Sequence, residues 1–141
     1  MPRTRVESRA RARVLQALYA WDLRRDEVRQ LERIATQIWD DLAIPTDERR
    51  LASLLVRTVQ QNADELDREL AEVTTNWRLE RLSVIDRCVL RLAAAELHRG
   101  ETPPRVVIQE AVRLAERYGS VKSAKFVNGV LDALARRLGR I

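Results

Sequence analysis

Apolar residues recur at intervals of three and four along almost the whole chain, which is the periodicity of an amphipathic α-helix. No segment of four or more residues alternates convincingly between apolar and polar side chains, as a half-exposed strand would. Four glycines and four prolines in 141 residues are also too few for a protein built from many short strands and turns. The sequence therefore predicts an all-α protein.

The apolar pattern divides into six helices, with connections short enough to predict two packed antiparallel three-helix bundles. Thr46 and Ser83 are predicted to cap the third and fourth helices, and Gly100 and Gly119 to end the fourth and fifth. Tyr118 is predicted to face the core. One domain is expected over 1–141, with an Arg-rich arm at 1–13 and bundles at about 14–75 and about 83–139. The six helices are expected at about 5–23, 28–42, 46–73, 83–99, 103–118 and 123–138.

The composition excludes several classes of protein. A hydrophobic fraction of 45% allows one buried core, and 33% charged residues require a heavily charged surface. No apolar run approaches the roughly 18–20 residues needed to cross a bilayer, and no apolar segment follows the first charges as in a secretory signal. A single cysteine excludes an internal disulfide and a cysteine-cluster zinc site. We expect a cytoplasmic protein with no membrane partner.

Motifs for catalysis are missing. The sequence has no P-loop, no dinucleotide-binding glycine motif, no HExxH and no GxSxG. The only histidine, His98, is interpreted as a surface or capping residue, and Cys88 as a small buried apolar residue. We therefore expect no enzyme activity, no catalytic residue, no metal site and no cofactor.

Positive charge is concentrated in the Arg-rich arm (residues 1–13). The arm contains five arginines and one glutamate, and it accounts for +4 of the formal net charge of +5. A compact basic patch of this kind favours a polyanionic partner. The alternative is a solvated charged terminus with no ligand.

Helical spacing predicts which of these arginines act together. Arg5, Arg9 and Arg13 are four residues apart and form a ridge that Gln16 extends. Arg11 is predicted to point away from the ridge, and Arg3 to precede the helix. Guanidinium groups bind phosphates in a fork and stack on bases, so the arm predicts an RNA-binding surface.

A second basic cluster precedes the predicted sixth helix. Lys122 and Lys125 are the only lysines, and the segment around them contributes the Ser123 hydroxyl and free amide groups at a helix start. Such groups favour a phosphate. Phe126, the only phenylalanine, is either a ring for base stacking or a core residue, and the sequence does not decide between them.

Several blocks of residues together resemble the NusB transcription antitermination family over essentially the whole chain. The most specific are EAVRLAERYG at 110–119 and FVNGVLD at 126–132. The other matching blocks are ARARVLQALY at 10–19, NWRLERL at 76–82, IDRCVLRLA at 85–93 and VVIQEAV at 106–112.

The resemblance implies two three-helix bundles that pair with NusE, a small-subunit ribosomal protein. It also implies binding of boxA-type single-stranded nascent RNA and read-through by RNA polymerase in an antitermination complex, notably in ribosomal RNA operons. The family's RNA contacts would fall on the Arg-rich arm and on the turn before the last helix. Asp86 is the expected NusE contact. The full set of expected RNA-binding residues is Arg3, Arg5, Arg9, Arg11, Arg13, Gln16, Lys122, Ser123, Lys125 and Phe126.

The chain departs from the family pattern at two positions, and other functions stay open. Gln109 stands where the family usually has Asn, and Lys122 stands where relatives often have an acid. The same fold occurs in ribosomal RNA cytosine methyltransferases, but we expect no cofactor domain in a chain that ends at Ile141. The alternative is a helical protein–protein adaptor without RNA contact. Some relatives form homodimers, and nothing in this sequence decides the oligomeric state.

Overall fold

Six α-helices make up most of this computed structural model, which describes residues 5–24, 27–74 and 78–141. Single 3₁₀ turns, Val28–Gln30 and Leu79–Arg81, precede the second and fourth helices. No strand occurs within the described ranges, so the predicted all-α class is confirmed. The helices are α1 (Arg5–Arg24), α2 (Leu31–Leu42), α3 (Thr46–Val73), α4 (Val84–Arg99), α5 (Pro104–Tyr118) and α6 (Val121–Arg137).

Local signals fix both ends of α4. The Ser83 hydroxyl accepts a hydrogen bond from the Asp86 amide at 3.2 Å, as predicted for an N-cap. Gly100 ends the helix in the left-handed conformation with φ of 74°, which a residue with a Cβ adopts only with strain. The predicted cap of α3 is wrong, because Thr46 is already its first helical residue and Pro45 occupies the cap position.

The last helix begins earlier than its apolar pattern predicts. The Ser120 hydroxyl accepts a hydrogen bond from the Ser123 amide at 3.1 Å and caps α6 at Val121. The expected start at Ser123 is therefore wrong. Lys122, which precedes the expected start, consequently lies in the first turn of α6, and Lys125 lies in the second turn.

The long helix α3 contains a kink. Asn62 has non-helical dihedral angles (φ −123°, ψ 19°), and its side-chain amide donates to the Thr58 carbonyl at 2.8 Å. A side chain that takes the place of a backbone N–H in this way interrupts the regular hydrogen bonding and bends the helix. The kink divides α3 into two helical segments, one on each side of Asn62.

The packing groups α1, α2 and α3 together, and α4, α5 and α6 together. Within each group every helix contacts the other two, and α1 and α3 both contact α4 across the groups. One hydrophobic cluster runs through the described residues of both groups, and its largest fully buried members include Trp39, Leu18, Leu66, Leu90 and Leu131. This arrangement places the first half of α1 against α4 and α5. None of the described helices is long and apolar enough to cross a membrane.

Candidate nucleic-acid interface

The N-terminal part of α1 carries an exposed basic ridge. Arg5, Arg9 and Gln16 are exposed, and Arg13 is partly buried. Arg13 Nε donates to Glu48 Oε1 at 3.3 Å, and Arg9 Nη1 lies 4.0 Å from the other oxygen of the same carboxylate. The Glu48 carboxylate thus positions Arg13 beside Arg9 and still leaves Arg9 open to solvent. The predicted contact Arg3 lies outside the described residues.

Arg11 does not belong to this surface, which corrects the expectation that it binds RNA. Arg11 is only 3% exposed. Its guanidinium donates to both carboxylate oxygens of Glu96, at 2.9 and 2.8 Å. Burial lowers the pKa of Arg11, but its hydrogen bonds and charge contacts with Glu96 and Glu110 outweigh this and raise the pKa above its ordinary value. A guanidinium held this way is out of reach of a ligand.

The buried ion pair fixes α1 to the second group of helices. Arg11 Nη1 lies 3.6 Å from Glu110 Oε1, and the Ser8 hydroxyl donates to that same oxygen at 2.8 Å. Glu96 belongs to α4 and Glu110 to α5. Contacts to both helices hold the first turns of α1 in place, and they set the direction in which the exposed ridge faces.

A groove of about 400 Å³ continues from the ridge. Tyr19 and Tyr118 are exposed at its surface, at 38% and 46%. The expectation that Tyr118 faces the core is therefore wrong, because α5 ends there and the ring lies in the groove. The guanidinium of Arg117 lies 5.4 Å from the centroid of the Tyr118 ring. The groove is lined by Ala12, Arg13, Leu15, Gln16, Tyr19, Ile85 and Tyr118.

Sequence reasoning missed both tyrosines as site residues. Tyr19 follows Gln16 by three positions, so helical spacing already placed it next to the ridge. Tyr118 gave no comparable signal, because its position depends on how the end of α5 meets α1 and α4. The groove joins one basic and one amide side chain of the predicted set, Arg13 and Gln16, to two exposed aromatic rings.

The residues at the start of α6 have mixed environments. Lys122 and Lys125 are exposed. The Ser123 amide donates to the Ser120 hydroxyl, so it is not among the free amide groups expected at this helix start, and the Ser123 hydroxyl accepts from Ser120 at 3.3 Å. Phe126 is partly buried and packs against the hydrophobic core, which favours its role as a core residue over base stacking.

Asp86 lies in the first turn of α4, next to the groove residue Ile85. Its backbone N–H donates to the Ser83 hydroxyl that caps the helix. One carboxylate oxygen, Oδ1, is buried and has no hydrogen-bond partner among the described residues. The side chain is only partly exposed.

Comparison with known sequences decides the family. The family model described as the NusB family matches residues 8–136. The chain belongs to the NusB family. A relative from Anaeromyxobacter dehalogenans (strain 2CP-1 / ATCC BAA-258), described as "Transcription antitermination protein NusB", is 42% identical over 132 residues, covering 93% of this chain and 91% of the relative. A protein of the same description from Sorangium cellulosum is 44% identical over 110 residues, covering 77% of this chain and 79% of its own.

Solved NusB structures share the fold. T. maritima NusB superposes with a TM-score of 0.84 at 38% identity, covering 96% of this chain and 93% of the other. A chain from a crystal structure of antitermination factors NusB and NusE in complex with dsRNA gives a TM-score of 0.85 at 29% identity. The match covers 96% of this chain and 99% of the other. The sequence resemblance to the NusB family and the predicted NusB-like fold are both confirmed.

Proposed function

We propose that this chain is a non-catalytic, RNA-binding transcription antitermination factor that acts with NusE. In this function it binds boxA-type single-stranded nascent RNA and joins an RNA polymerase complex that reads through terminators. The names of its relatives and the NusB–NusE complex with dsRNA among its structural neighbours support this assignment.

The observation that carries the proposal is the continuity of the ridge and the groove. Arg5 and Arg9 are exposed on α1, Arg13 and Gln16 enter the groove, and Tyr118 closes it from the end of α5. Guanidinium groups bind the phosphates of a strand, and exposed aromatic rings stack on its unpaired bases. Base stacking contributes roughly 1–3 kcal/mol per base in such sites.

The chemistry of the groove supports binding without catalysis. Its lining residues supply no imidazole, thiol or carboxylate. Cys88 is buried elsewhere, and burial raises the pKa of its thiol to about 12, so the thiol stays protonated at neutral pH. The lining can therefore bind and orient RNA, whereas general acid–base catalysis needs a group that titrates near neutral pH.

We assign the NusE contact to the surface around Asp86. Asp86 is partly exposed in the first turn of α4 beside the groove, so the accessible part of its carboxylate is placed to accept a donor from a partner protein. Asp86→Asn preserves the shape and the backbone cap, and we expect it to weaken NusE binding. Binding is measured by titration of NusE in the absence of RNA.

The experiment that tests RNA binding is titration of a boxA-type RNA and a scrambled RNA against the protein, with and without NusE. We expect tighter binding of the boxA-type RNA and a further gain with NusE. Tyr118→Leu removes the ring and should weaken RNA binding by roughly 1–3 kcal/mol. Tyr118→Phe keeps the ring and serves as the matched control, with affinity close to that of the unsubstituted protein.

Two results would contradict the proposal. Equal affinity for the two RNAs, with and without NusE, would show that the protein does not recognise the boxA sequence. Capture of NusE without any RNA binding, before or after the two proteins associate, would favour the protein–protein adaptor instead.

A further inference from the structure

Three side chains with metal-ligating atoms meet between α3 and α4. Glu65, Glu69 and His98 each place one such atom within 4.8 Å of the other two. The two glutamates are four residues apart and share one face of α3. His98 lies in the last turn of α4, which packs against α3. None of these residues lines the groove described above.

Among the described residues, the only ion pair of Glu69 is the long contact with His98. The Glu69 side chain is 19% exposed, and its Oε1 lies 4.0 Å from His98 Nδ1, which is too long for a hydrogen bond. Its Oε2 is buried and has no hydrogen-bond partner among the described residues.

Arg68 is near enough to act on Glu69 electrostatically, but it forms no ion pair with it. Arg137 binds Glu72 at 2.7 Å, and no ion pair within the described part of the chain joins an arginine or lysine to Glu65 or Glu69. A bound cation would neutralise the Glu69 carboxylate and draw it towards Glu65.

The donor set selects the class of cation. Mg²⁺ and Ca²⁺ prefer sites made wholly of oxygen ligands, whereas imidazole suits Zn²⁺ and other late transition metals. Zn²⁺ accepts histidine nitrogen and carboxylate oxygen together, at roughly 2.0–2.2 Å, in a tetrahedral arrangement. The three ligand atoms lie within 4.8 Å of one another, so side-chain rotation must bring them closer for one ion to bind all three.

We propose that Glu65, Glu69 and His98 bind one Zn²⁺ ion, with water in the fourth position. The ion links the second half of α3 to the end of α4, and so it joins the two groups of three helices. Because the ion binds the folded chain through residues that are far apart in sequence, it stabilises the folded state by an amount that grows with the logarithm of its concentration above the dissociation constant.

The test is Zn²⁺ binding by the full chain after metal removal with a chelator and removal of any histidine tag. Calorimetric titration should give one Zn²⁺ per chain. At Zn²⁺ about a hundredfold above the dissociation constant, Tm should rise by about 5–10 °C. His98 is the only histidine, so the imidazole ¹⁵N signals belong to it alone and should shift on saturation.

Matched variants make the result specific. His98→Ala and Glu69→Gln should abolish the Tm rise, whereas Asp64→Asn, at the exposed acid beside Glu65, should keep it. Mg²⁺ at the same concentration should leave Tm and the imidazole signals unchanged. The proposal is overturned if the imidazole signals stay fixed in Zn²⁺, if His98→Ala responds like the unsubstituted chain, or if Mg²⁺ reproduces the effect.

Discussion

Arg9 and Arg11 lie two positions apart on α1, and their surroundings are opposite. The Arg9 side chain is 60% exposed, and that of Arg11 is 4% exposed. Successive residues of a helix are turned by about 100°, so positions two apart point to nearly opposite sides. One arginine is therefore available to a ligand, and the other is part of the protein interior.

Arg11→Met should lower the free energy of unfolding by about 3–5 kcal/mol, because it leaves the buried Glu96 carboxylate without its guanidinium partner. Arg9→Met, on the exposed side, should change it by less than about 0.5 kcal/mol. Urea unfolding of the two variants measures both values. A loss below about 1 kcal/mol for Arg11→Met would show that the ion pair is not what anchors α1.

Helical spacing alone separated Arg11 from the ridge of Arg5, Arg9 and Arg13. It did not reveal the role of Arg11, because both of its carboxylate partners come from distant helices, α4 and α5. The Tyr118 prediction was wrong for a related reason. A residue at the end of a helix can lie on the apolar stripe and still project past the neighbouring helices into a groove.

At the scale of helices, an ionic network ties α1, α3 and α4 together. Asp22 of α1 accepts from Arg87 Nε at 2.7 Å and from Arg91 Nη1 at 2.9 Å. Arg91 also donates to Asp67 of α3 at 2.9 Å, and its guanidinium lies 5.3 Å from the Trp21 ring centroid. The network lies across the boundary between the two groups of helices.

Acid should weaken this network. Burial raises the pKa of Asp22, but hydrogen bonds and charges from Arg87 and Arg91 outweigh it, so the pKa lies below its ordinary value. The carboxylate therefore stabilises the fold above about pH 3.9, the unfolded-state pKa, and this contribution is lost as the pH falls through the folded-state pKa.

We expect Asp22→Asn to cost about 2–3 kcal/mol at pH 7. The difference from the unsubstituted protein should shrink as the pH falls below about 3.9. Urea unfolding at a series of pH values measures that difference. A gap that stays constant down to acid unfolding would mean that the carboxylate charge is not the stabilising feature.

The connection between α5 and α6 depends on a close approach at Gly119. A Cβ there would lie 2.7 Å from the Ala115 carbonyl oxygen and 2.8 Å from Ser123 Oγ. Gly119→Ala should therefore destabilise the protein by about 1–3 kcal/mol. Gly129, in the middle of α6, has open space where a Cβ would lie, with no neighbouring atom within 4 Å, so Gly129→Ala should stabilise by about 0.5–1 kcal/mol.

Thermal unfolding of the two alanine variants gives this comparison directly, since both add one methyl group at a glycine. The opposite sign of the two shifts in Tm is the expected outcome. Equal shifts would mean that the α5–α6 connection adjusts freely to the added carbon.

Helix existence and order could be predicted from the sequence because they depend on local periodicity and caps. The start of α6 was missed because Val121 is apolar but 66% exposed, so the apolar stripe begins later than the helix. The kink at Asn62 was also missed, because it depends on one side-chain bond to Thr58. The meeting of Glu65 and Glu69 with His98 required the packing of α3 against α4, which periodicity does not specify.

For the whole molecule, formal charge overstates the surface available to RNA. The Arg-rich arm carries +4 of the total +5, but Arg11 is neutralised inside the protein and Glu48 lies beneath Arg9 and Arg13. Within the described part of the predicted RNA-binding set, the exposed basic residues are Arg5 and Arg9, with Lys122 and Lys125 on α6. A modest number of phosphate contacts is therefore expected.

The salt dependence of RNA affinity measures the number of these phosphate contacts. If about four phosphates of a single strand are neutralised, log K for the boxA-type RNA should fall against log salt with a slope of about −3. Replacing Arg5 and Arg9 by alanine should reduce the magnitude of the slope by about 1.4, because each phosphate contact releases roughly 0.7 counterions. Alanine at Arg33 and Arg68, which are exposed on α2 and α3, should leave it unchanged. A slope near zero, or the same slope in both double variants, would mean that the ridge on α1 does not contact the RNA backbone.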